Sequence, residues 1–216
     1  MRILHITNLG KDQRYKDVLE YQERTHTRRV AGDAPDHLIL VEHLPVYTLG
    51  TSADASHLLY PKEVFRAAGI DCIETSRGGD VTYHGPGQLV GYPIVHLGKA
   101  GMTVIEYVTA LEELLIRVVA AHGITAGRDP RNRGVWVGND KLAAIGIRVS
   151  RKVTMHGFAL NVNTNLDDYQ GIVPCGLRDA GVTSMSKLLG HPVDMNSVRD
   201  QVFSIFKEIF KYEEKK

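Results

Sequence analysis

The period of apolar and polar positions changes several times along the chain, and each change predicts an element. Residues 2–9 alternate well enough for a strand. From there through about Val30, Tyr15, Val18, Leu19 and Gln22 recur at helical spacing, which predicts a helix covering a sheet. His37 to His43 is a β-rich run ended by Leu44-Pro45, and Val46 to Gly50 reads as the next strand or as a turn off the first. Pro61 opens a short helix through about Ala68, with Gly69 as its stop. Residues 70–75 alternate again, and Gln88 to Leu97 forms a further strand. The clearest helix runs from Thr103 to His122, where Val104, Val108, Leu111, Leu115, Val118 and Val119 make one stripe ended by Gly123. Residues 134–147 predict a hairpin around Gly138-Asn139-Asp140, which leaves Lys141 just past the turn, and Val153 to Val162 supplies its next partner. Val182 to Leu189 and Val193 to Tyr212 read as two helices. Irregular alternation with several hairpins favours an α+β domain over a doubly wound parallel sheet.

Within Val153 to Val162, Phe158, Leu160 and Val162 share one face, whereas Gly157, Ala159, Asn161 and Asn163 share the other. That second face, with Ala144 and Gly146 on the preceding strand, lacks large side chains. Either a ligand or a covering helix fits there.

A length of 216 residues suits one domain, taken as 1–216. With 26 basic and 25 acidic residues the net charge is +1, so no global field draws the chain to nucleic acid or to anionic lipid. Local basic clusters at Arg128, Arg131 and Arg133 and at Arg148, Arg151 and Lys152 read as solvated surface or as a dock for an acidic protein. No apolar run approaches a membrane span and the N-terminus does not read as a signal peptide, so a cytoplasmic, non-membrane protein is expected. The two cysteines, Cys72 and Cys175, form no C-x-x-C, so neither a disulfide framework nor a zinc site is expected and each thiol is judged alone. Cys72 sits in an alternating strand and reads as a small core residue. Cys175 lies between Pro174 and Gly176 in a turn, which suits presentation of a nucleophile.

The densest chemistry lies between Arg77 and Ile94. Gly78-Gly79 and Gly85-Pro86-Gly87 bracket Val81, Thr82, Tyr83 and His84, which reads as a strand-flanked binding loop or as ordinary turn punctuation. Gly85, Gly87 and Gly91 are spaced G-x-G-x-x-x-G and lead into β-formers and Pro93, so neither a dinucleotide fingerprint nor a Walker-type phosphate loop is present.

Taken in order, Arg77-Gly78-Gly79 through Gly91, Lys141 to Gly146, His156 to Asn163 and Pro174-Cys175-Gly176 resemble the lipoyl/octanoyl transferase family over nearly the whole chain. The resemblance implies the fold of biotin and lipoate protein ligases, a mixed central sheet with a smaller sheet and surrounding helices. It implies Cys175 as the acyl-accepting nucleophile and Lys141 as its partner. Arg77, Gly78, Gly79, Asp80, Val81, Thr82, Tyr83 and His84, with Ala144, Ile145 and Gly146 and with Gly157, Phe158 and Ala159, are implied as the acyl-substrate pocket. Asp80 acquires no specific role from it.

The implied reaction carries an octanoyl group from the phosphopantetheine of acyl carrier protein to a lysine of lipoyl domains, those of 2-oxoacid dehydrogenase complexes and the glycine-cleavage H protein. It needs no ATP, metal or other cofactor. Two alternatives share the fold expectation: an ATP-dependent lipoate or biotin ligase, which needs no cysteine nucleophile, and a non-catalytic module that binds lipoyl domains.

Overall fold

The computed structural model describes residues 2–176 and 179–212, and at Cys175 the main chain alone. Its strands are β1 Leu4–Asn8, β2 Asp36–Val41, β3 Val46–Leu49, β4 Asp71–Glu74, β5 Val81–His84, β6 Gln88–Ile94, β7 Gly127–Asp129, β8 Asn132–Val137, β9 Asp140–Ser150, β10 Val153–Asn161 and β11 Gly181–Val182. Its helices are α1 Tyr15–Ala31, α2 Lys62–Ala67, α3 Leu97–Ala100, α4 Val104–Ala120, α5 Met185–Leu189 and α6 Met195–Ile209.

Seven strands of an eight-stranded mixed sheet run β1-β2-β6-β10-β9-β8-β7, and β11 completes it by pairing with β9. A smaller sheet has the order β4-β3-β5. The α+β architecture expected from the hairpins is therefore what the chain adopts. Val46–Leu49 belongs to the smaller sheet, where it pairs in parallel with β4 and antiparallel with β5. Leu44-Pro45 is where the chain leaves one sheet for the other.

Each face of the large sheet is covered. On one side α4 and α6 bury Leu111, Leu115, Val118, Val202 and Phe206 against Phe158, Leu160 and Val162. On the other, α1 packs Tyr15 and Val18 against Ile39, Val90, Tyr92 and Ala159. This is why every position of β10 is buried. Helix α4 starts in a capping box, with Thr103 Oγ1 accepting from the Glu106 N–H and Glu106 Oε2 accepting from the Thr103 N–H. Residues 182–184, expected to begin a helix, instead pair with β9 and cap α5. The backbone donors there serve β9, as in Thr183 N–H to Lys141 O at 3.0 Å.

A buried carboxylate ties the chain ends to the sheet. Asp36 accepts from Arg2, Arg29, Tyr212 and the His96 N–H at 2.7–3.0 Å. Burial alone would raise its pKa, but those donors win and hold the carboxyl below its ordinary range.

Candidate active site

A cavity opens where the two sheets meet. Its walls come from the 77–84 loop and strand, from β9 at Lys141, Ala144, Ile145 and Gly146, and from β10 at Gly157, Phe158 and Ala159. The three segments expected to build a pocket thus converge, with one exception. Tyr83 does not line the cavity: its ring is buried in the core of the smaller sheet beside Tyr47 and Tyr169, and its hydroxyl donates to Asp168 at 2.7 Å. Strand alternation explains this, since Thr82 and His84 face the cavity and Tyr83 must face away.

Arg77 holds the loop in place. Its guanidinium donates to Thr48 Oγ1 and to the carbonyls of Thr48 and Gly78, and it is buried. Gly78 N–H reaches Ile147 O at 2.8 Å, which fastens the loop to β9. Close approach sets the residue choice here. A Cβ on Gly146 would stand 3.0 Å from Gly78 O, and Gly79 has φ +87°. The small residues on this face therefore divide. Ala144 and Ala159 line the cavity. Gly146 makes room for the loop, and Gly157 for β6, because a Cβ there would lie 2.2 Å from Gly91 O.

Beside the loop stands an aromatic and histidine cluster. Tyr15 stacks on His84 with an interplanar angle of 6°. His43 donates from Nδ1 to Gln13 O and accepts the Tyr92 hydroxyl at Nε2, at 3.1 and 2.7 Å. Burial pushes His43 down to about 4 and His84 to about 3, so both rings are neutral at pH 7 and the tautomer written for His43 is the one that fits. His156, also on the cavity wall, is buried with φ +58° inside a strand, and burial lowers it to about 3. Tyr15, Val90, Tyr92, Asn132 and His156 are the lining residues that sequence reasoning missed.

Lys141 reaches the cavity through an irregularity. With strict alternation along β9, Lys141 would face opposite to Ala144 and Gly146. The β8–β9 register runs Val135 to Ala143 and then Trp136 to Lys141, so Leu142 is an extra, bulged residue. The bulge sends Leu142 and Ala143 into the core and re-aims Lys141 at the cavity. There Nζ donates to Asn132 Oδ1 at 2.6 Å and stands 5.2 Å from the Trp136 ring centroid.

The Cys175 side chain lies outside the described residues, but its main chain stands in the 3-10 turn Pro174–Gly176. Both flanks of that turn are stitched down. On the entry side, Leu59 N–H bonds Gly171 O, Leu58 bridges Ile172, and Val173 N–H bonds His57 O at 2.9 Å. On the exit side, Asn139 Nδ2 donates to Asp179 O, and Gly181 and Thr183 pair with Asn139 and Lys141. The turn therefore joins the smaller sheet to the strand that carries Lys141. Cys72 is half-buried against the smaller sheet's core, where burial raises its thiol pKa. Among the described residues no cluster of three or more histidine, cysteine or acidic side chains is arranged to hold a metal ion, and no helix is long and apolar enough to cross a membrane.

The family profile described as "Lipoyl protein ligase A/B catalytic domain" matches residues 14–207. A protein of Alkaliphilus metalliredigens named octanoyltransferase is 47% identical over 97% of this chain and 96% of its own length. Among solved structures, lipoate-protein ligase A bound with ATP superposes at a TM-score of 0.82 with 16% identity, covering 98% of this chain and 86% of that one. Biotin protein ligase from Aquifex aeolicus does so at 0.55 and 14%, covering 98% and 70%. The two structures share the fold, and the closer sequence likeness adds the branch. The chain belongs to the lipoyl protein ligase A/B catalytic-domain family and, within it, to the octanoyltransferases.

Proposed function

We propose that this octanoyltransferase moves its acyl group in two steps through a thioester on Cys175, from acyl carrier protein to a lysine of a lipoyl domain. The observation that carries the reading is the joining of the Pro174–Gly176 turn to the Lys141 strand by β11 and its flanking bonds, with Gly176 against Asp80 of a cavity walled by Ala144 and Ala159. A free thiol has a pKa of about 8.5, and a neighbouring ammonium favours its thiolate.

In the first step Cys175 Sγ attacks the thioester carbonyl. The bond to the phosphopantetheine sulfur breaks, and that sulfur takes the proton given up by Cys175, by way of Lys141. In the second step the neutral amine of the acceptor lysine attacks the octanoyl-cysteine. The C–N bond forms, Sγ leaves, and the amine proton returns to it through Lys141. Thioester exchange is nearly balanced, and the amide drives the sequence forward, so no ATP enters. Octanoyl burial at about 0.8 kcal/mol per methylene supplies the chain-length preference.

The two basic clusters are not equivalent as docks for an acidic carrier. Arg128, Arg131 and Arg133 are already paired, with Glu112, Glu113 and Asp129. Arg148 donates to Ser76 Oγ, beside the Arg77 loop, and pairs with no carboxylate among the described residues. The 148–152 hairpin therefore suits the carrier better.

Intact-protein mass spectrometry tests the reading. Octanoyl carrier protein, without ATP, is expected to add one octanoyl mass to wild type and none to Cys175→Ser, and a lipoyl domain is expected to remove it. Transfer that needs ATP and free octanoic acid, with no adduct, would overturn the covalent route in favour of a ligase.

A further inference from the structure

The 55–59 segment meets the 77–84 loop in a side-chain pair, His57 and Asp80, that the proposed reaction leaves unused. His57 closes a 3-10 turn, Ala55–His57, that is capped by Asp54. Its Nδ1 stands 2.5 Å from Asp80 Oδ2, with the side chains 20% and 12% exposed. A carboxylate only accepts, so Nδ1 carries the proton. The other oxygen, Asp80 Oδ1, accepts from the Val81 N–H at 2.7 Å and from the Asp54 N–H at 3.3 Å. Asp80 is thus clamped by its own strand on one side and by the 54–57 turn on the other.

This pair abuts the nucleophile turn. Gly176, with φ +70°, offers no side chain, and a Cβ there would lie 3.0 Å from both Asp80 Oδ2 and His57 Cε1. The main chain of His57 makes a second link, since its carbonyl accepts the Val173 N–H, and Gly176 N–H in turn closes on Val173 O at 3.1 Å. One residue therefore grips the segment entering the turn through its backbone and braces the residue after Cys175 through its ring. Asp80, on the cavity wall, ties that brace to the substrate loop.

We propose that His57 and Asp80 form a positioning pair that fixes the Pro174–Gly176 turn and so sets where the residue-175 thiol meets the bound thioester. The inference rests on Cys175 being the acyl acceptor. It assigns a task to the one loop position, 80, for which the family resemblance offered none. Its chemistry is hydrogen bonding and steric bracing, with no proton transferred by His57.

The test is single-turnover acylation by octanoyl carrier protein, followed by intact mass, on wild type, His57→Phe, His57→Asn, Asp80→Ala and the His57→Phe/Asp80→Ala double variant. Alkylation of the Cys175 peptide by iodoacetamide is measured in parallel. Phe fills the space without a donor, whereas Asn returns a donor near the Nδ1 position and cannot act as a base. His57→Phe and Asp80→Ala are each expected to slow acylation by roughly 10- to 100-fold, the scale of losing near-attack geometry by an ångström. The apparent KM for the carrier is expected to stay within about threefold, because uniform substrate binding is untouched. His57→Asn is expected to recover most of the rate. The double variant is expected to be no slower than the slower single, the mark of two residues acting as one unit.

His57→Asn as slow as His57→Phe would overturn positioning and make the ring itself a proton carrier. Additive losses, or losses in KM alone, would also overturn it. A wild type that never forms an adduct would refute the covalent reading on which the pair depends. A wild type that acylates normally beside variants that match it would refute the pair alone.

Discussion

Gly157→Ala separates two meanings of a small residue beside a cavity. If the position is small to admit an acyl tail, one added methyl should trim long-chain transfer and leave the fold intact. The geometry argues otherwise. The new Cβ would lie 2.2 Å from Gly91 O and 2.6 Å from Pro93 Cδ, against 3.4 Å for ordinary contact. β6 and β10 must then part locally by about 1.2 Å, the difference between 3.4 and 2.2 Å. That displacement strains the ladder at Phe158–Gly91 and Ala159–Val90. Overpacking of a core costs about 1–3 kcal/mol. Weakening one or two ladder hydrogen bonds adds about 1 kcal/mol. The sum, about 2–4 kcal/mol, corresponds to a fall in Tm of roughly 5–15 °C for a domain of this size. Thermal melts followed by circular dichroism, with octanoyl transfer assayed at 20 °C, check this. A melting temperature within 1–2 °C of wild type, combined with selective loss of octanoyl over butanoyl transfer, would show that the residue faces the tail and that the strand-spacing argument is wrong.

Three further outcomes follow from the same geometry. Asn132→Ala removes one acceptor of the Lys141 ammonium, at 2.6 Å from Nζ, so acylation should slow by roughly tenfold, the worth of about 1.5 kcal/mol from one charge-assisted bond, with the carrier KM unchanged. A shift in KM alone would contradict that role. Stability should fall as the pH drops below about 6.5, because unfolded histidines take up protons that buried His43, His84 and His156 refuse until about pH 4, 3 and 3. That contribution is complete above the unfolded pKa, and each ring adds a slope of at most about 1.4 kcal/mol per pH unit below it, readable as a urea midpoint that declines from pH 7 to 5. A flat midpoint would refute it. Charge reversal of Arg148 and Arg151 should raise the KM for carrier protein and spare a small thioester donor, whereas Arg128→Glu should chiefly lower Tm by replacing one of the two arginine partners of the buried Glu112 with a second carboxylate. Equal effects on both donors, or a carrier KM set by Arg128, would reverse the choice of dock.

Local signals marked most elements, because they act over one or two turns of chain. The apolar stripe from Val104 to Val119 and the Thr103 cap specify α4 without reference to anything else. Likewise Phe158, Leu160 and Val162 announce the core face of β10. What escaped depends on partners distant in sequence. Val46–Leu49 joins a second sheet only because Asp71–Glu74 arrives later to pair with it. Residues 181–182 become a strand because β9 has a vacant edge at Asp140 and Lys141, beyond the end of β10. The Leu142 bulge leaves no trace in the alternation of apolar residues, and parity alone would have turned Lys141 away from Ala144. Tyr83 is the converse case: strict alternation excluded it from the cavity, and reading the whole 77–84 run as one pocket overrode that signal. Asn132 and His57 carry no pattern at all, being single polar residues whose neighbours are supplied by tertiary contact.

A shared fold carries no reaction with it, and the ligases on the same scaffold make the point for this chain. The cavity walls, built from sheet and loop backbone, are what such a scaffold can hold constant. A change of chemistry must come from the few side chains that reach the carbonyl end. In the proposed site the candidates sit at departures from regular structure: a bulge re-aims Lys141, Cys175 belongs to a proline–cysteine–glycine turn, and a left-handed Gly176 lets the His57–Asp80 pair approach. The turn is flanked by hydrogen bonds from Val173 to His57 on its entry side and from Gly181 and Thr183 to Asn139 and Lys141 on its exit side. Irregular geometry of this kind is costly unless its surroundings determine it, and here the 57–59 segment, Asp80 and β9 are in contact with it. It follows that Gly176→Ala, which combines a left-handed φ with a Cβ 3.0 Å from Asp80 and His57, should impair acylation more than it impairs folding. Normal acylation in a variant that only melts earlier would mean that the turn tolerates displacement, and that the positioning of the thiol lies elsewhere.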